Sequence, residues 1–161
     1  MKLDHAWIAA HIPHQGSMCV LEEVLSWDLQ RIACRSISHR AIDNPLRAHG
    51  RLGAACAIEY AAQAVAVHGA LLQCPPASGG GFGMLTSARR VELAVARLDD
   101  LAHDLVVSAQ RLHSDAVSAL YSFALHDRER LLAQGRLSLL HGAAATLNLA
   151  AASATSPDPR P

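Results

Sequence analysis

Glu59 is the residue whose surroundings most suggest chemistry. It is the only acidic residue between Asp43 and Glu92, and it sits inside an otherwise uncharged, alanine-rich run. A carboxylate buried in such a run costs several kcal/mol unless it is paired or protonated. Both conditions suit a general acid. Gln63 follows four residues later. At helical spacing it shares a face with Glu59 and can hydrogen-bond it. The alternative use of the same carboxyl is structural, as a hydrogen-bonded group inside a subunit contact.

Ten histidines in a chain this short invite a metal or acid–base reading. A structural zinc site needs clustered Cys and His ligands. No CxxC or HExxH spacing occurs in the sequence, so no metal is expected. His68 lies nine residues beyond Glu59. At 100° per residue that is half a turn round a helix, so His68 is expected to point away from the carboxyl, as a core or surface residue. Gly50 and Gly53 flank the start of the same run. Glycines there let a backbone approach a ligand closely, and the free N–H groups of a first helical turn can hold an oxyanion. A simple flexible loop is the other reading. The later Ser78-Gly79-Gly80-Gly81 stretch lacks the GxxxxGK[ST] pattern of a phosphate loop and reads as a linker.

These residues need elements to position them. A short N-terminal segment over 3–14 closes at Pro13, because the residue before a proline avoids the α region. Residues 17–28 are compatible with strand or helix. Residues 30–38 alternate well enough for a strand. Asp43-Asn44-Pro45 signals a turn. A long helix is predicted over about 53–72, ending before Pro75-Pro76. Four segments then follow, at 82–95, 104–113, 116–126 and 130–141, separated by Asp99-Asp100, Ser114-Asp115 and Asp127-Arg128. Three or four strands in a row with tight turns predict an antiparallel meander. The fold class is therefore α+β, one long buried helix followed by an antiparallel sheet. A single domain is expected over 1–142, with a disordered tail over 143–161 that lacks periodicity and ends in Pro and Ser.

Composition narrows the function classes. The chain has 161 residues, 14 Lys+Arg and 14 Asp+Glu, for a formal net charge of zero. That balance argues against nucleic-acid binding and against a polybasic membrane surface. Residues 52–72 are long enough to span a bilayer, but they carry Glu59, Gln63 and His68, so a core helix is expected rather than a membrane span. The N-terminus lacks the apolar stretch of a secretory signal. Cys19, Cys34, Cys56 and Cys74 are scattered, which suits reduced thiols in a cytoplasmic protein. The chain holds 31 alanines but only 4% aromatics. Small residues favour close backbone approach, at a helix–sheet contact or against a partner subunit.

Several segments in a fixed order resemble one family. The opening Ile12–Asp28 (IPHQGSMCVLEEVLSWD) has a Pro-His pair, a spacer, an apolar pair, acidic residues and a Val. Asn44-Pro45 precedes an Ala/Gly stretch and then Ile58-Glu59-Tyr60-Ala61-Ala62-Gln63-Ala64. Downstream stand Gly83–Leu93 and Ala133–Leu140. Over about residues 10–141 this order is similar to the hotdog-fold 3-hydroxyacyl-acyl-carrier-protein dehydratases, and closest to their aryl-polyene-type branch. The resemblance implies the hotdog fold, a long central helix wrapped by an antiparallel sheet. It also implies dehydration of 3-hydroxyacyl thioesters in fatty-acid or polyene-type biosynthesis.

In that chemistry a base removes the weakly acidic C2 proton, an acid helps the 3-hydroxyl leave, and a donor steadies the thioester oxyanion. The resemblance puts the carboxyl at Glu59, with Gln63, Gly50 and Gly53 as substrate-binding residues. For the base it offers two candidates. His49 precedes the helix where the family holds its catalytic His, although His49-Gly50-Arg51-Leu52-Gly53 replaces the family's His-Phe-Pro-Gly loop. His14 belongs to the Pro-His opening. No cofactor is implied beyond the phosphopantetheine of an acyl carrier protein. Arg89 and Arg90 could meet that acidic carrier, or form a solvated strand face. A homodimer or a hetero-oligomer with another hotdog protein is expected. Two alternatives use the same scaffold: a non-catalytic subunit that completes a true dehydratase, and a thioesterase in which Glu59 directs water.

Overall fold

The computed structural model describes residues 2–72 and 83–141. Cys74, the 78–81 linker and the expected tail over 143–161 lie outside the described residues. A short helix α1 (His5–His11) opens the chain, with the Asp4 carboxylate accepting from the Trp7 N–H at 3.2 Å as its cap. Two strands follow, β1 (Glu23–Trp27) and β2 (Arg31–Ser36). The long helix α2 (Ala57–Leu71) is entered through one 3-10 turn, Ala54–Cys56. Four longer strands complete the chain: β3 (Met84–Leu93), β4 (Leu105–Ser114), β5 (Ser118–Asp127) and β6 (Arg130–Leu140).

Every strand pair is antiparallel, and the sheet order is β1-β2-β4-β5-β6-β3. The expected α+β layout is present, and the expected meander has three strands, β4, β5 and β6. β3 leaves the sequence order and pairs with β6 at the far edge. A two-residue period shows that a segment is a strand but does not say which strand lies beside it. The connection from β3 to β4 is tied to the segment leading into α2. Ala54 N–H donates to Ala96 O at 3.1 Å, and Leu98 N–H to Leu52 O at 2.8 Å.

Helix α2 packs on the sheet through Ala57, Tyr60, Ala61, Ala64, Val67 and His68, all fully buried. Alanine has the best helix propensity and brings no side-chain bulk. The helix therefore lies close to the strands, and the sheet supplies the large side chains: Ile32, Leu105, Val107, Phe123 and Leu125. β5 alternates between buried and half-buried positions, as period two requires. Gly135 on β6 has a packing reason, since a Cβ there would stand 2.9 Å from the Phe123 ring. Residues 54–71 are apolar and long enough to cross a membrane, but 56% of that window is buried inside the fold. Cys19, Cys34 and Cys56 are free thiols, the first two buried.

Two histidines are fully enclosed, His39 and His68. Burial disfavours the imidazolium and pushes both below the ordinary value of 6.5. The folded state thus holds both neutral where the unfolded chain takes up protons. Stability contributed in this way is complete above the ordinary value and is lost as pH falls from there toward the lower folded values. Melting temperature is expected to fall on acidification from about pH 7 to about pH 5, and less steeply in the double variant His39→Gln/His68→Gln. Equal slopes in the two proteins would count against this account.

Candidate active site

The segment that follows α1 carries His14 to the helix. Pro13 keeps Ile12 extended, at φ −120° and ψ 159°. Gln15 Nε2 donates to Ala9 O at 3.1 Å, which folds the segment back on α1. Met18 and Val20 then pass over Gln63. Val20 N–H donates to Gln63 Oε1 at 2.9 Å, and Gln63 Nε2 donates to Met18 O at 2.7 Å and to Glu59 Oε1 at 2.8 Å. Both amide hydrogens and the amide oxygen of this fully buried side chain are in use. On its other side, Val20 O accepts from Ser36 Oγ at 2.5 Å and from Ser38 Oγ at 2.9 Å. Ser38 Oγ lies 2.8 Å from Tyr60 Oη, and Tyr60 Oη accepts from Asn44 Nδ2 at 3.2 Å. The Val20 peptide is held at both ends, and residues 12–20 are set in register against α2.

That register brings His14 to Glu59. His14 Nε2 lies 3.0 Å from Glu59 Oε1, with a quarter to a third of each side chain exposed. The other ring nitrogen, His14 Nδ1, has no solvent-exposed surface, so Nε2 is the nitrogen available for proton transfer. Both residues line a cavity of about 220 Å³. Its walls include Ala62, Ala66 and Gly69 of α2, Leu85 of β3, and Tyr121 of β5. An apolar cavity with a carboxyl–imidazole pair in its wall can bind an apolar chain and move a proton at a fixed point along it.

His49 is placed differently. It occupies the Ala48–Arg51 turn in the left-handed region, with φ 51°, and is exposed. It is not among the residues lining the cavity that holds His14 and Glu59. Gly50 is in the same turn, at φ +73°. Gly53 leads into the helix with open space where a Cβ would stand. The N–H groups of Leu52, Ala54 and Cys56 are taken by Asp99, Ala96 and Gly53. An oxyanion donor at this helix start must therefore be another N–H. Asp99 fastens the region. It is bonded to Arg97 and pairs with Arg47, and the Arg97 guanidinium holds its carboxyl far below the usual carboxylate range.

Arg89 and Arg90 are exposed on β3 beside a bulge, with Arg90 at φ 51°. With Arg136, Leu120 and Ser138 they line a shallow depression separate from the His14–Glu59 cavity. Among the described residues no group of three or more His, Cys, Asp or Glu could hold a metal. Of the polar residues lining the cavity, Tyr121 and His141 were not expected there. The available signal for Tyr121 was its place on the buried face of β5, where a phenol must find a hydrogen-bond partner.

The family model described as ApeP dehydratase matches residues 6–149. No curated protein matches the sequence. Among solved structures, the dehydratase heterocomplex ApeI:P from Xenorhabdus doucetiae is similar, with a TM-score of 0.73 and 21% identity over 88% of this chain and 97% of that one. Zebra fish thioesterase superfamily member 2 is also similar, at a TM-score of 0.60 and 17% identity over 86% and 95%. At these identities the likeness establishes the hotdog fold, which dehydratases and thioesterases share.

Proposed function

We propose, for a chain that belongs to the ApeP-like dehydratase family, that it removes water from 3-hydroxyacyl thioesters carried on an acyl carrier protein. The observation that carries this reading is the 3.0 Å contact between His14 Nε2 and Glu59 Oε1 in the wall of an apolar cavity. The neutral imidazole of His14 takes the C2 proton. The C2–H electron pair becomes the C2=C3 bond, and the C3–O bond breaks. Glu59 in its acid form gives its proton to the departing hydroxyl, which leaves as water. Proton transfer from Nε2 back to Oε1 across the same contact then restores the starting state. In this role His14 replaces His49 as the base, because His14 is the histidine that meets the carboxyl. Gln63 orients Glu59 through its Nε2–H. Gly50 and Gly53 remain candidates for shaping the substrate approach to the helix.

The substrate arrives on phosphopantetheine, and no further cofactor is proposed. Arg89 and Arg90, joined by Arg136, form the basic surface that meets the acidic carrier. The chain assembles with another copy or with a second hotdog protein, a pairing supported by the heterocomplex similar to it.

The test offers 3-hydroxyacyl carrier protein to the purified full chain, alone and mixed with a second hotdog dehydratase, and follows products by mass. The unsaturated thioester is expected. Free acid would mean a thioesterase. Product only in the mixture, unaffected by Glu59→Gln in this chain, would mean a non-catalytic subunit. In the same assay Arg89→Glu/Arg90→Glu is expected to raise KM for the carrier-borne substrate and not for a pantetheine thioester. Equal effects on both substrates would remove the arginines from the carrier surface.

A further inference from the structure

We propose that Tyr121 sets how long an acyl chain the cavity accepts, and that His68 holds it in place. This rests on the cavity being an acyl pocket, as in the proposed function. Glu59, Ala62, Ala66 and Gly69 line the cavity at spacings of three, four and three residues, a single stripe along α2. Ten residues of helix rise about 15 Å. The cavity thus runs along the helix away from the His14–Glu59 pair. His68 stands next to Gly69 at the far end of that run. It lies on the neighbouring face, turned toward the sheet, where it is fully buried.

Tyr121 joins the two faces. Tyr121 lines the cavity, and its hydroxyl lies 3.0 Å from His68 Nδ1. The two rings meet edge to face, with centroids 5.7 Å apart and an interplanar angle of 85°. His68 Nε2 lies 2.8 Å from the carbonyl oxygen of Asp28. A carbonyl only accepts, so Nε2 carries the hydrogen. A neutral imidazole has one N–H, so Nδ1 accepts and the Tyr121 hydroxyl donates. The ring is therefore anchored through His68 to a backbone carbonyl beside the sheet edge.

An anchored ring is a wall rather than a gate. Swinging it aside would break its bond to His68 and leave a buried imidazole nitrogen without its donor. Of the other lining residues, Ala66, Gly69 and Ala119 are too small to stop a chain. The cavity is also small, about 220 Å³ against the roughly 300–1,000 Å³ of ordinary ligand pockets, so the position of one ring is felt by the ligand.

The test measures binding of non-reactive acyl-pantetheine amides of graded chain length to the full chain, by displacement of a fluorescent fatty acid. In Tyr121→Ala the affinity for long chains relative to short ones is expected to rise roughly tenfold or more, the scale at which a pocket discriminates one methylene. His68→Leu is expected to shift the profile the same way. His68→Gln, whose amide donates to Asp28 O and accepts from the Tyr121 hydroxyl, is expected to keep the parent profile. If Tyr121→Ala fails to fold, Tyr121→Leu carries the same comparison. An unchanged profile in a folded Tyr121 variant overturns the wall while leaving the acyl pocket standing. A His68→Gln profile shifted as far as that of His68→Leu overturns the anchor. Failure of the parent to bind any amide overturns the acyl reading, and the wall with it.

Discussion

Replacing Glu59 by Gln is expected to lower kcat/KM for dehydration by roughly 10²- to 10⁴-fold, the range general acid–base catalysis supplies. The substitution keeps the side chain's shape. Its carbonyl oxygen still accepts from Gln63 Nε2, so the bond now measured at 2.8 Å has a partner in the variant. What is lost is the exchangeable proton at the contact with His14 Nε2. Melting temperature should therefore stay near that of the parent while turnover collapses. His14→Asn should cost a similar factor, and the double variant little more than the worse single, because residues that act as one unit are not additive. Steady-state rates on a defined carrier-borne substrate decide the matter. Independent, multiplying losses would mean that the two residues do not work as a pair.

The second large effect is on stability, at Gln63→Leu. The variant leaves Val20 N–H and Met18 O without the partners they have at 2.9 and 2.7 Å, in a place where Gln63 itself is fully buried. Each stranded buried group costs about 1–3 kcal/mol. A loss of about 2–5 kcal/mol corresponds to a fall in melting temperature of about 5–15 °C for a domain of this size. Urea unfolding should show a lower midpoint with little change in slope. Turnover at low temperature should fall as well, because the same amide holds both Glu59 and the segment carrying His14. A variant that melts with the parent would show that the Val20 clamp carries no energy.

Much of the helix was legible in the sequence, for a local reason. Glu59 stood out because no other acidic residue shares its surroundings, and Gln63 followed from helical spacing alone. Their hydrogen bond is a contact within one turn of helix. The His14 contact spans 45 positions and depends on how an irregular segment crosses the helix, which no periodicity encodes. His49 looked well placed in linear order. The turn at Ala48–Arg51 and its left-handed backbone put it elsewhere, and such turn geometry is invisible to residue counting. β3 was legible as a strand but not as the neighbour of β6. Tyr121 read as an ordinary core position in an alternating strand. Its importance appears only once the cavity and His68 lie on either side of it.

The clamp on Val20 has a kinetic corollary. His14 is carried by a segment outside the sheet ladder, fastened to the body by the amide of Gln63 and the hydroxyls of Ser36 and Ser38. Releasing it leaves the six-stranded ladder untouched, so it opens at a lower free energy than the whole domain. The closed segment stays the majority form up to the melting midpoint, but its amides exchange through this smaller opening. The Val20 N–H would take up deuterium ahead of the buried strand amides, under conditions where the fold is still native.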